Sequence, residues 1–407
     1  MIGRIMTTLI MFTILVIVVI VTGSEFSDSH DDEVDRLLKK LNKPALKSIK
    51  SPDGDIIDCV HMKNHPIYDH PLFKNHTIQM RPSSYPDGWN NSKIEKQDKV
   101  FQQWTINGKC PRNSIPIIRT KREDILRAES IERYGKKDSN SILRHKPTNS
   151  TNMNTHEYAI LRVEVNSPQA KFHGTKAALN VWKPYVQNPR EFSLAQIWLS
   201  AGPVNELNTI EVGWQVLESF YGDDRPRLFI YWTYDAYRTT GCYNLRCRGF
   251  VPINQELAIG GVIPHVSTID GPQEVLPITI WKDPRTGNWW LKLFNHMIVG
   301  YWPSSIFNHL QNGATEVNWG GEIVNLKDGA QHTSTHMGSG RFAEQGWAKA
   351  SYFNDIEIVD QNEIVKQPQG YFPTVTDANC YTLRSGIHQA VGLFFYYGGP
   401  GRNPNCH

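Results

Sequence analysis

The sequence predicts an all-β domain, an antiparallel β-sandwich or barrel, preceded by a small mixed domain. From His156 onward, short runs rich in β-branched and aromatic residues follow one another, separated by turn clusters and with no convincing helix between them. The composition agrees, because 30 glycines, 24 prolines and 12 tryptophans in 407 residues favour turns and strands. Many short strands joined by turns are typical of a sandwich or barrel, here of about 250 residues.

The predicted strands of this second part share alternating or continuous apolar patterns and are separated by turn clusters. They cover residues 158–165, 177–182, 192–199, 208–216, 227–232, 288–293, 317–324 and 350–359. Between two tryptophan-containing runs, residues 283–288 read Asp-Pro-Arg-Thr-Gly-Asn, which predicts a hairpin turn.

The first part of the chain has a different pattern, with predicted helices and few predicted strands. Apolar residues at helical spacing predict an amphipathic helix over 31–42, and residues 51–119 are punctuated by prolines and predicted to be poor in strands. A second helix is predicted from Thr120, with Glu123 completing a capping box, up to Gly135. Residues 136–155 are dense in Lys, Ser, Asn and Thr, a composition that predicts an exposed linker.

The N-terminus predicts secretion. Arg4 precedes an apolar stretch over 5–21 and then small or polar residues, the layout of a signal peptide over 1–24. The apolar stretch is long for a cleaved signal, so an uncleaved membrane anchor is the alternative, and no membrane contact is expected after signal cleavage. An oxidising compartment predicts that the six cysteines form disulfides, and that the sequons at Asn75, Asn90 and Asn149 are glycosylated. A net charge of +3 is too small to indicate nucleic acid as a partner.

Two glutamates, Glu211 and Glu322, stand out in matched contexts. Strand alternation places Glu211 on one face with Gly213, and Glu322 on one face with Gly320. A glycine inside a strand often marks close approach by a ligand or by another backbone. A single strand glutamate is usually a solvated carboxylate, but two in such similar surroundings indicate a shared role.

The segments around these glutamates, and many others in order along the chain, are similar to one known family. They include Asp55-Ile-Ile-Asp-Cys59, Tyr68-Asp-His-Pro-Leu72, Arg81-Pro-Ser-Ser-Tyr85, Leu207-Asn-Thr-Ile-Glu211, Gly213-Trp-Gln-Val216, Thr240-Gly-Cys-Tyr243, Gly300-Tyr-Trp-Pro303, Trp319-Gly-Gly-Glu322, Met337-Gly-Ser-Gly340 and Tyr397-Gly-Gly-Pro400. From about Lys47 to the C-terminus the sequence resembles the neprosin family, secreted glutamic-class prolyl endopeptidases made as zymogens.

The resemblance implies a function and a domain organisation. Glu211 and Glu322 fall on the two catalytic glutamates of the family, on the concave face of a β-sandwich. Residues 25–147 would be the activation propeptide with its linker, acting as an inhibitor, and residues 148–407 the catalytic domain. Proline-containing peptides or proteins would be the substrates, and no cofactor is expected. Pro147, the one proline of the linker, would be the processing site.

The chemistry explains why two carboxyls are needed. Hydrolysis of a peptide bond by free water requires a base that deprotonates the water and an acid that protonates the leaving nitrogen. Two adjacent carboxyls do not both ionise readily, so one keeps its proton and the other stays anionic. The sequence does not distinguish the base from the acid, because the pair titrates as a unit.

Further residues were assigned from the strand pattern and from the zymogen organisation. Gln196 and Trp198 share a strand face, and Gln215 shares one with Glu211, so these three are predicted to line the substrate cleft. Trp198 and Trp319 are predicted to form an aromatic wall of the cleft, because proline packs well on aromatic faces. Clean removal of a propeptide requires that no disulfide crosses the linker. The predicted pairs are therefore Cys59–Cys110, Cys242–Cys247 and Cys380–Cys406.

Other chemistries are less favoured. His332 and His336 are four residues apart, but their segment reads as a strand and lacks the glutamate of a helical zinc motif, so no metal is predicted. Ser339 lacks the Gly-x-Ser-x-Gly context of a serine hydrolase. Paired carboxylates and tryptophans also describe carbohydrate-active or carbohydrate-binding sandwiches, and a catalytically silent family member is a third alternative.

Overall fold

A computed structural model describes residues 31–89, 101–128, 130–137, 156–327 and 331–407. The predicted signal peptide, Asn90, Asn149 and the processing site Pro147 lie outside the described residues, whereas Asn75 is exposed. Among the described residues, no helix has the length and apolar character needed to cross a membrane.

Two large antiparallel sheets form the sandwich, which confirms the predicted fold class. The first consists of β4 (His156–Glu164), β6 (Ser193–Ala201), β7 (Asn208–Val216), β8 (Arg227–Thr233), β13 (Glu316–Val324) and β16 (Phe372–Val375). The order of these strands across the sheet is β16-β4-β13-β6-β7-β8. We call it the six-stranded sheet.

The second sheet has the order β17-β18-β14-β5-β10-β11-β12-β9, with β15 paired to β14, and we call it the nine-stranded sheet. Its strands are β5 (Phe172–Asn180), β9 (Val251–Pro252), β10 (Val275–Lys282), β11 (Trp289–Leu293), β12 (Met297–Trp302), β14 (Ser351–Asp360), β15 (Val365–Lys366), β17 (Thr382–His388) and β18 (Gly392–Gly398). The predicted hairpin at 283–288 joins β10 to β11.

The core fills the space between the two sheets and follows the alternation read from the sequence. Ile210, Val212 and Trp214 of β7 and Trp319 of β13 belong to one buried apolar cluster that includes the inner face of the nine-stranded sheet. The Trp319 indole N–H donates to the Thr175 hydroxyl of that sheet at 3.1 Å. The opposite, outer face of the six-stranded sheet is therefore the one that carries both glutamates.

The N-terminal part contains a small sheet that the sequence did not predict. Its order is β1 (Ala45–Lys50), β2 (Ile56–His61) and β3 (Ser114–Ile118). The prediction of few strands in 51–119 is wrong because prolines were taken to exclude them. Pro116 lies in β3, which is an edge strand, where a missing N–H costs no ladder bond.

The described helices are short. Residues 31–41 are helical (α1), as predicted, followed by α2 (Arg122–Leu126) and α3 (Glu218–Tyr221). The N-cap of helix α2 is Lys121, one residue after the predicted Thr120, and the helix ends much earlier than predicted. The Lys121 N–H donates to the Asp124 carboxylate at 2.7 Å, whereas the Thr120 N–H donates to Asn42 at 2.9 Å and so belongs to a different contact.

The N-terminal part, of which residues 31–89, 101–128 and 130–137 are described, packs on the outer face of the nine-stranded sheet and along one side of the sandwich. We call it the propeptide, the role that the family resemblance implies for it. Residues 65–89 cover the outer face of the nine-stranded sheet. Along the side, Asp55 pairs with Arg227 at 2.8 Å and Asp69 pairs with Arg248 at 2.9 Å. These ion pairs join propeptide carboxylates to guanidinium groups of the sandwich.

All three disulfides have the predicted partners. Cys59–Cys110 lies in the propeptide, and Cys242–Cys247 and Cys380–Cys406 lie in the sandwich. None of these bridges joins the two parts, so after the linker is cut only non-covalent contacts hold them together.

Candidate active site

Glu211 and Glu322 lie on the same face of the six-stranded sheet, on either side of the central strand β6. Glu211 of β7 is opposite Trp198 of β6, and Glu322 of β13 is opposite Leu194 of the same strand. Both side chains are buried, with exposures of 0% and 2%. Two buried carboxylates on one sheet face form an unusual cluster, because carboxylates are rarely buried without specific partners.

The two glycines predicted to mark a close approach lie in the row between the glutamates and place no side chain there. Gly213 and Gly320 flank Gln196 in the row between the two carboxylates. A Cβ at Gly213 would lie 1.9 Å from the carbonyl oxygen of Ala195, and one at Gly320 would lie 2.3 Å from that of Ala159. Approach of the neighbouring backbone is therefore what requires glycine at both positions.

Three side chains donate hydrogen bonds to Glu322. His156 Nδ1 lies 2.6 Å from Oε1, the Tyr158 hydroxyl donates to Oε1 at 3.2 Å, and the Gln196 amide donates to Oε2 at 3.2 Å. Burial acts to raise the pKa of Glu322, but the hydrogen bond from His156 and the charges of Lys137 and His156 together lower it. Glu322 is therefore held in its anionic form.

Glu211 has a different set of partners. The Tyr237 hydroxyl donates to Oε1 at 2.6 Å and the Thr209 hydroxyl donates to the same atom at 2.9 Å. Oε2 forms an ion pair with the ammonium group of Lys137, which belongs to the propeptide. Both oxygens of Glu211 are thus occupied, one by hydroxyls of the sandwich and the other by the propeptide.

Lys137 fills the space in front of the glutamates. Its side chain is only 5% exposed, and its ammonium lies 5.1, 5.9 and 5.8 Å from the ring centres of Tyr231, Tyr237 and Tyr243. Aromatic faces attract a cation at such distances. The backbone is also held, because the Lys137 N–H donates to the Tyr231 hydroxyl at 3.1 Å and the Tyr243 N–H donates to the Gly135 carbonyl at 2.7 Å.

The prediction that residues 136–155 form an exposed linker is therefore wrong at Lys137. Its neighbour Lys136 is exposed, as predicted, and residues 138–155 lie outside the described part of the chain. Composition alone does not distinguish two adjacent lysines. We call residues 131–137 the latch segment.

The predicted cleft residues divide between the two faces of the sheet. Gln196 and Trp198 lie on the glutamate face, where the Trp198 ring is 6.5 Å from that of Tyr158. Gln215 lies on the same face, and its amide donates to the Tyr221 hydroxyl at 2.9 Å. Trp319 lies on the opposite face, in the core between the sheets. The prediction that Trp319 lines the cleft is wrong, because strand alternation turns its side chain away from Glu322.

Sequence reasoning missed the hydroxyl and imidazole partners of the glutamates. His156 and Tyr158 are two residues apart on β4, next to β13, so alternation puts both on the face of Glu322. That signal was available in the sequence. Tyr237 lies outside the strands and reaches Glu211 from a loop, where no periodic pattern points to it.

The segment around the two spaced histidines is not a strand, contrary to the prediction. Residues 332–336 are irregular, and His332 Nε2 lies 3.0 Å from the carboxylate of Glu157. His332 also lies close to Cys380 and Cys406, but these two sulfurs are joined in a disulfide. A disulfide does not supply the thiolates that a metal ion would need.

Family comparisons agree with this arrangement. The neprosin profile matches residues 189–400, and the neprosin activation peptide profile matches residues 48–162. The chain belongs to the neprosin family. It is a peptidase synthesised with an activation peptide. The activation peptide profile extends to residue 162 and so includes the part of β4 that carries His156 and Tyr158. The predicted boundary at 147/148 remains a prediction.

Several solved structures are similar to parts of the chain. Scytalido-glutamic peptidase with a peptide-based transition state analogue is 12% identical, covering 60% of this chain and 98% of its own, with a TM-score of 0.33. SCP-B, a member of the eqolisin family of peptidases in complex with the tripeptide Ala-Ile-His, is 11% identical, covering 60% and 96%, with a TM-score of 0.31. CG-16, a homodimeric agglutinin from chicken liver, is 8% identical, covering 43% and 97%, with a TM-score of 0.21.

Proposed function

We propose that the protein is a secreted, acid-active glutamic endopeptidase, made as a zymogen, which hydrolyses the peptide bond after proline with Glu211, Glu322 and an activated water. The observation that carries this proposal is the pair of buried carboxylates on one sheet face, with a propeptide lysine bound to one of them.

The surroundings of the two glutamates support different roles. Glu322 accepts hydrogen bonds from His156 and Tyr158, which favours its anionic form and the role of general base. When Lys137 leaves, Glu211 loses its cationic partner and is the carboxyl that remains for the other role. Glu211 then acts as general acid, and its Oε2, the atom that Lys137 held, faces the substrate.

The proposed reaction needs no covalent intermediate. Glu322 removes a proton from water as the water oxygen attacks the carbonyl carbon, and the Glu211 carboxyl donates a hydrogen bond to the developing oxyanion. Collapse of the tetrahedral intermediate breaks the C–N bond, and a carboxyl proton passes to the leaving nitrogen. Because only the singly protonated pair performs both roles, activity is lost as the pH rises.

Aromatic side chains around the glutamates support a preference for proline. Trp198, Tyr231, Tyr237 and Tyr243 belong to the buried apolar cluster of the glutamate face. The compact apolar ring of proline packs well on aromatic faces. In the zymogen the aliphatic and cationic side chain of Lys137 occupies this aromatic surface instead.

The direct test is a digest at acidic pH. We expect the processed enzyme to cleave a proline-containing protein mainly after proline, as read by mass spectrometry of the products, and to leave polysaccharides intact. Cleavage without any bias toward proline would contradict the proposed specificity. Release of reducing sugar from a polysaccharide, with no peptide product, would favour a carbohydrate-active enzyme instead.

We expect acidification of the purified precursor to produce a mature chain that begins at Thr148. Pro147 is the one proline of residues 136–155, and a segment of that polar composition is accessible to proteases. N-terminal sequencing of the product checks this, and the Glu322→Gln precursor should stay full length under the same treatment. A start after Arg144 or Lys146 would indicate a separate processing protease, and cleavage of the Glu322→Gln precursor would rule out self-processing.

A buried histidine of the propeptide links docking to pH. His65 is 1% exposed, its Nε2 lies 3.0 Å from the Pro252 carbonyl of the sandwich, and its Nδ1 accepts the Ile67 N–H at 3.0 Å. The neutral ring thus uses both nitrogens. Burial lowers the pKa of His65 to about 4, against the hydrogen bond to Pro252, and the charges of Arg248 and His76 lower it further.

The direction in which pH changes docking follows from the pKa of His65 in the docked and undocked states. In the docked propeptide this pKa is about 4, whereas a solvated histidine has its ordinary value of 6.5. The undocked state therefore binds more protons, and docking is at full strength above about pH 6.5 and weakens as the pH falls toward 4. A difference of this size corresponds to about 3 kcal/mol of docking free energy.

We expect the His65→Gln precursor to keep its propeptide docked to a lower pH than the wild type. Glutamine donates and accepts hydrogen bonds but does not titrate in this range. The measurement is the pH at which the propeptide separates from the sandwich after the linker has been cut, followed by size-exclusion chromatography. His70→Gln is the matched control, since His70 accepts an equivalent bond from the Leu72 N–H at 3.2 Å but is only half-buried. Equal shifts for both variants would contradict the role of His65.

A further inference from the structure

The outer face of the nine-stranded sheet, on the opposite side of the sandwich from the glutamates, carries a row of aromatic side chains. Trp281 of β10, Trp290 of β11 and Tyr301 of β12 are cross-strand neighbours. Their ring centres are 6.5 Å apart for the two tryptophans and 4.7 Å apart for Trp290 and Tyr301. We call these three residues the aromatic row.

In this structure a segment of the propeptide occupies the aromatic row. Residues 78–89 contain no helix or strand, and they pass over the row with the Tyr85 ring 5.4 Å from that of Trp281. Pro82 and Pro86 are both buried, whereas Arg81 and Asp87 are exposed. Prolines and the residues before them favour extended backbone, and extended proline-containing segments bind well to aromatic surfaces.

Many of the polar contacts that hold this segment go to its main chain. The Trp281 indole donates to the Ser84 carbonyl at 3.2 Å, and the Lys292 ammonium donates to the Trp89 carbonyl at 2.8 Å. The Ser83 N–H donates to the Asp283 carboxylate at 2.5 Å. Main-chain groups are the same in every peptide, so these contacts do not depend on the propeptide sequence.

The side-chain hydrogen bonds of the segment are fewer, and its Tyr85 and Trp89 rings add apolar contacts. The Ser83 hydroxyl donates to Asp283, the Trp89 indole donates to Glu357 at 2.8 Å, and Gln79 accepts from Asn288 at 2.6 Å. The Gln79 N–H donates to the Tyr301 hydroxyl at 3.1 Å, again through the main chain. A peptide that keeps the backbone path retains the four main-chain hydrogen bonds.

We propose that, once the propeptide has been removed, the aromatic row of the catalytic domain binds extended proline-containing segments of protein substrates, as a second binding site separate from the glutamate cleft. The proposal rests on the proposed function in one respect, since it requires that the propeptide leaves. A long substrate held by the aromatic row stays near the enzyme while another of its segments enters the cleft, which raises the effective concentration of cleavable bonds.

Binding can be tested without catalysis. The full chain is produced with Glu322→Gln and with a site for a sequence-specific protease placed in the linker, so that it folds with its propeptide. After the linker is cut and the propeptide is removed at low pH, fluorescence anisotropy measures binding of a labelled peptide of residues 78–89. We expect saturable binding, displacement by an unlabelled proline-rich substrate peptide, and at least tenfold weaker binding of the labelled peptide with Pro82→Ala and Pro86→Ala.

Two further measurements locate the site. Lys292→Met removes one main-chain contact and leaves an unbranched side chain, and we expect it to weaken peptide binding several-fold. In the active enzyme the same substitution should raise KM for a long proline-rich protein but leave hydrolysis of a short proline peptide unchanged. The proposal is overturned if the processed protein does not bind the peptide, if Lys292→Met does not weaken that binding, if the proline-rich substrate peptide does not compete, or if the propeptide cannot be removed from this face. Because peptide binding is measured with Glu322→Gln, the binding results do not depend on whether the enzyme is active.

Discussion

Glutamine in place of Glu322 is expected to lower peptide hydrolysis by at least about a thousandfold while leaving the fold intact. Glutamine has the same shape and still accepts the hydrogen bonds of His156 and Tyr158, but it does not exchange a proton at working pH. Glu211→Gln should have an effect of the same order, because general acid and general base act in the same reaction. Steady-state kinetics on a proline-containing peptide, together with circular dichroism to check folding, provides the measurement.

The design includes a matched control and a double variant. Glu164→Gln changes an exposed glutamate at the far end of β4, which pairs with Arg162 at 3.8 Å, and should leave activity unchanged. The double variant Glu211→Gln with Glu322→Gln should be little worse than either single variant, because residues that act as a unit give non-additive losses. Near wild-type turnover in either single variant would rule out the proposed pair.

Much of the glutamate face was predictable because strand alternation is a local property. The runs around Glu211 and Glu322 are long and regular, so the face of every residue in them follows from its parity. The same rule places Trp319 in the core. Its assignment to the cleft is wrong because it rested on the packing of proline against aromatic faces and not on parity.

The partners of the glutamates depend on contacts between distant parts of the chain, which local patterns do not record. Lys137 pairs with Glu211 across 74 residues, and His156 with Glu322 across 166. A lysine in a polar segment looks solvated, and only the three tyrosine rings around its ammonium make its burial favourable. The pairing of strands β13, β6 and β7, which brings the glutamates together, likewise follows from the topology.

The propeptide was predicted least well because its strands are short and its prolines obscure them. Ile115 is fully buried in β3 directly before Pro116, and the small sheet is tied by Cys59–Cys110. A disulfide and an edge position stabilise structure that propensity alone does not predict. The disulfide pairing itself was predictable, because the requirement for separable domains restricts the partners.

Removal of the Lys137 charge is expected to make the precursor activate at a higher pH. In the Lys137→Met precursor the side chain stays unbranched and keeps its contact with the tyrosine rings, but Glu211 loses its buried cation. Leaving one member of a buried ion pair without its partner typically costs about 3–5 kcal/mol. This cost weakens the binding of the latch segment to the cleft.

The neighbouring lysine provides the control for this experiment. Lys136→Met changes the same residue type one position earlier, at an exposed site, and should process at the wild-type pH. The measurement is the midpoint pH of conversion from precursor to mature chain, followed by gel electrophoresis over a pH series. If Lys137→Met and Lys136→Met have the same midpoint, Lys137 does not maintain latency.

A peptide of the latch segment, Ile131-Glu-Arg-Tyr-Gly-Lys-Lys137, tests the same contact without any change to the enzyme. We expect it to inhibit the processed enzyme, and the version with methionine at the last position to inhibit at least tenfold less, since the ammonium group is the part that binds Glu211. Inhibition that is equally strong with lysine and methionine would show that the latch segment acts by filling the cleft rather than by its charge.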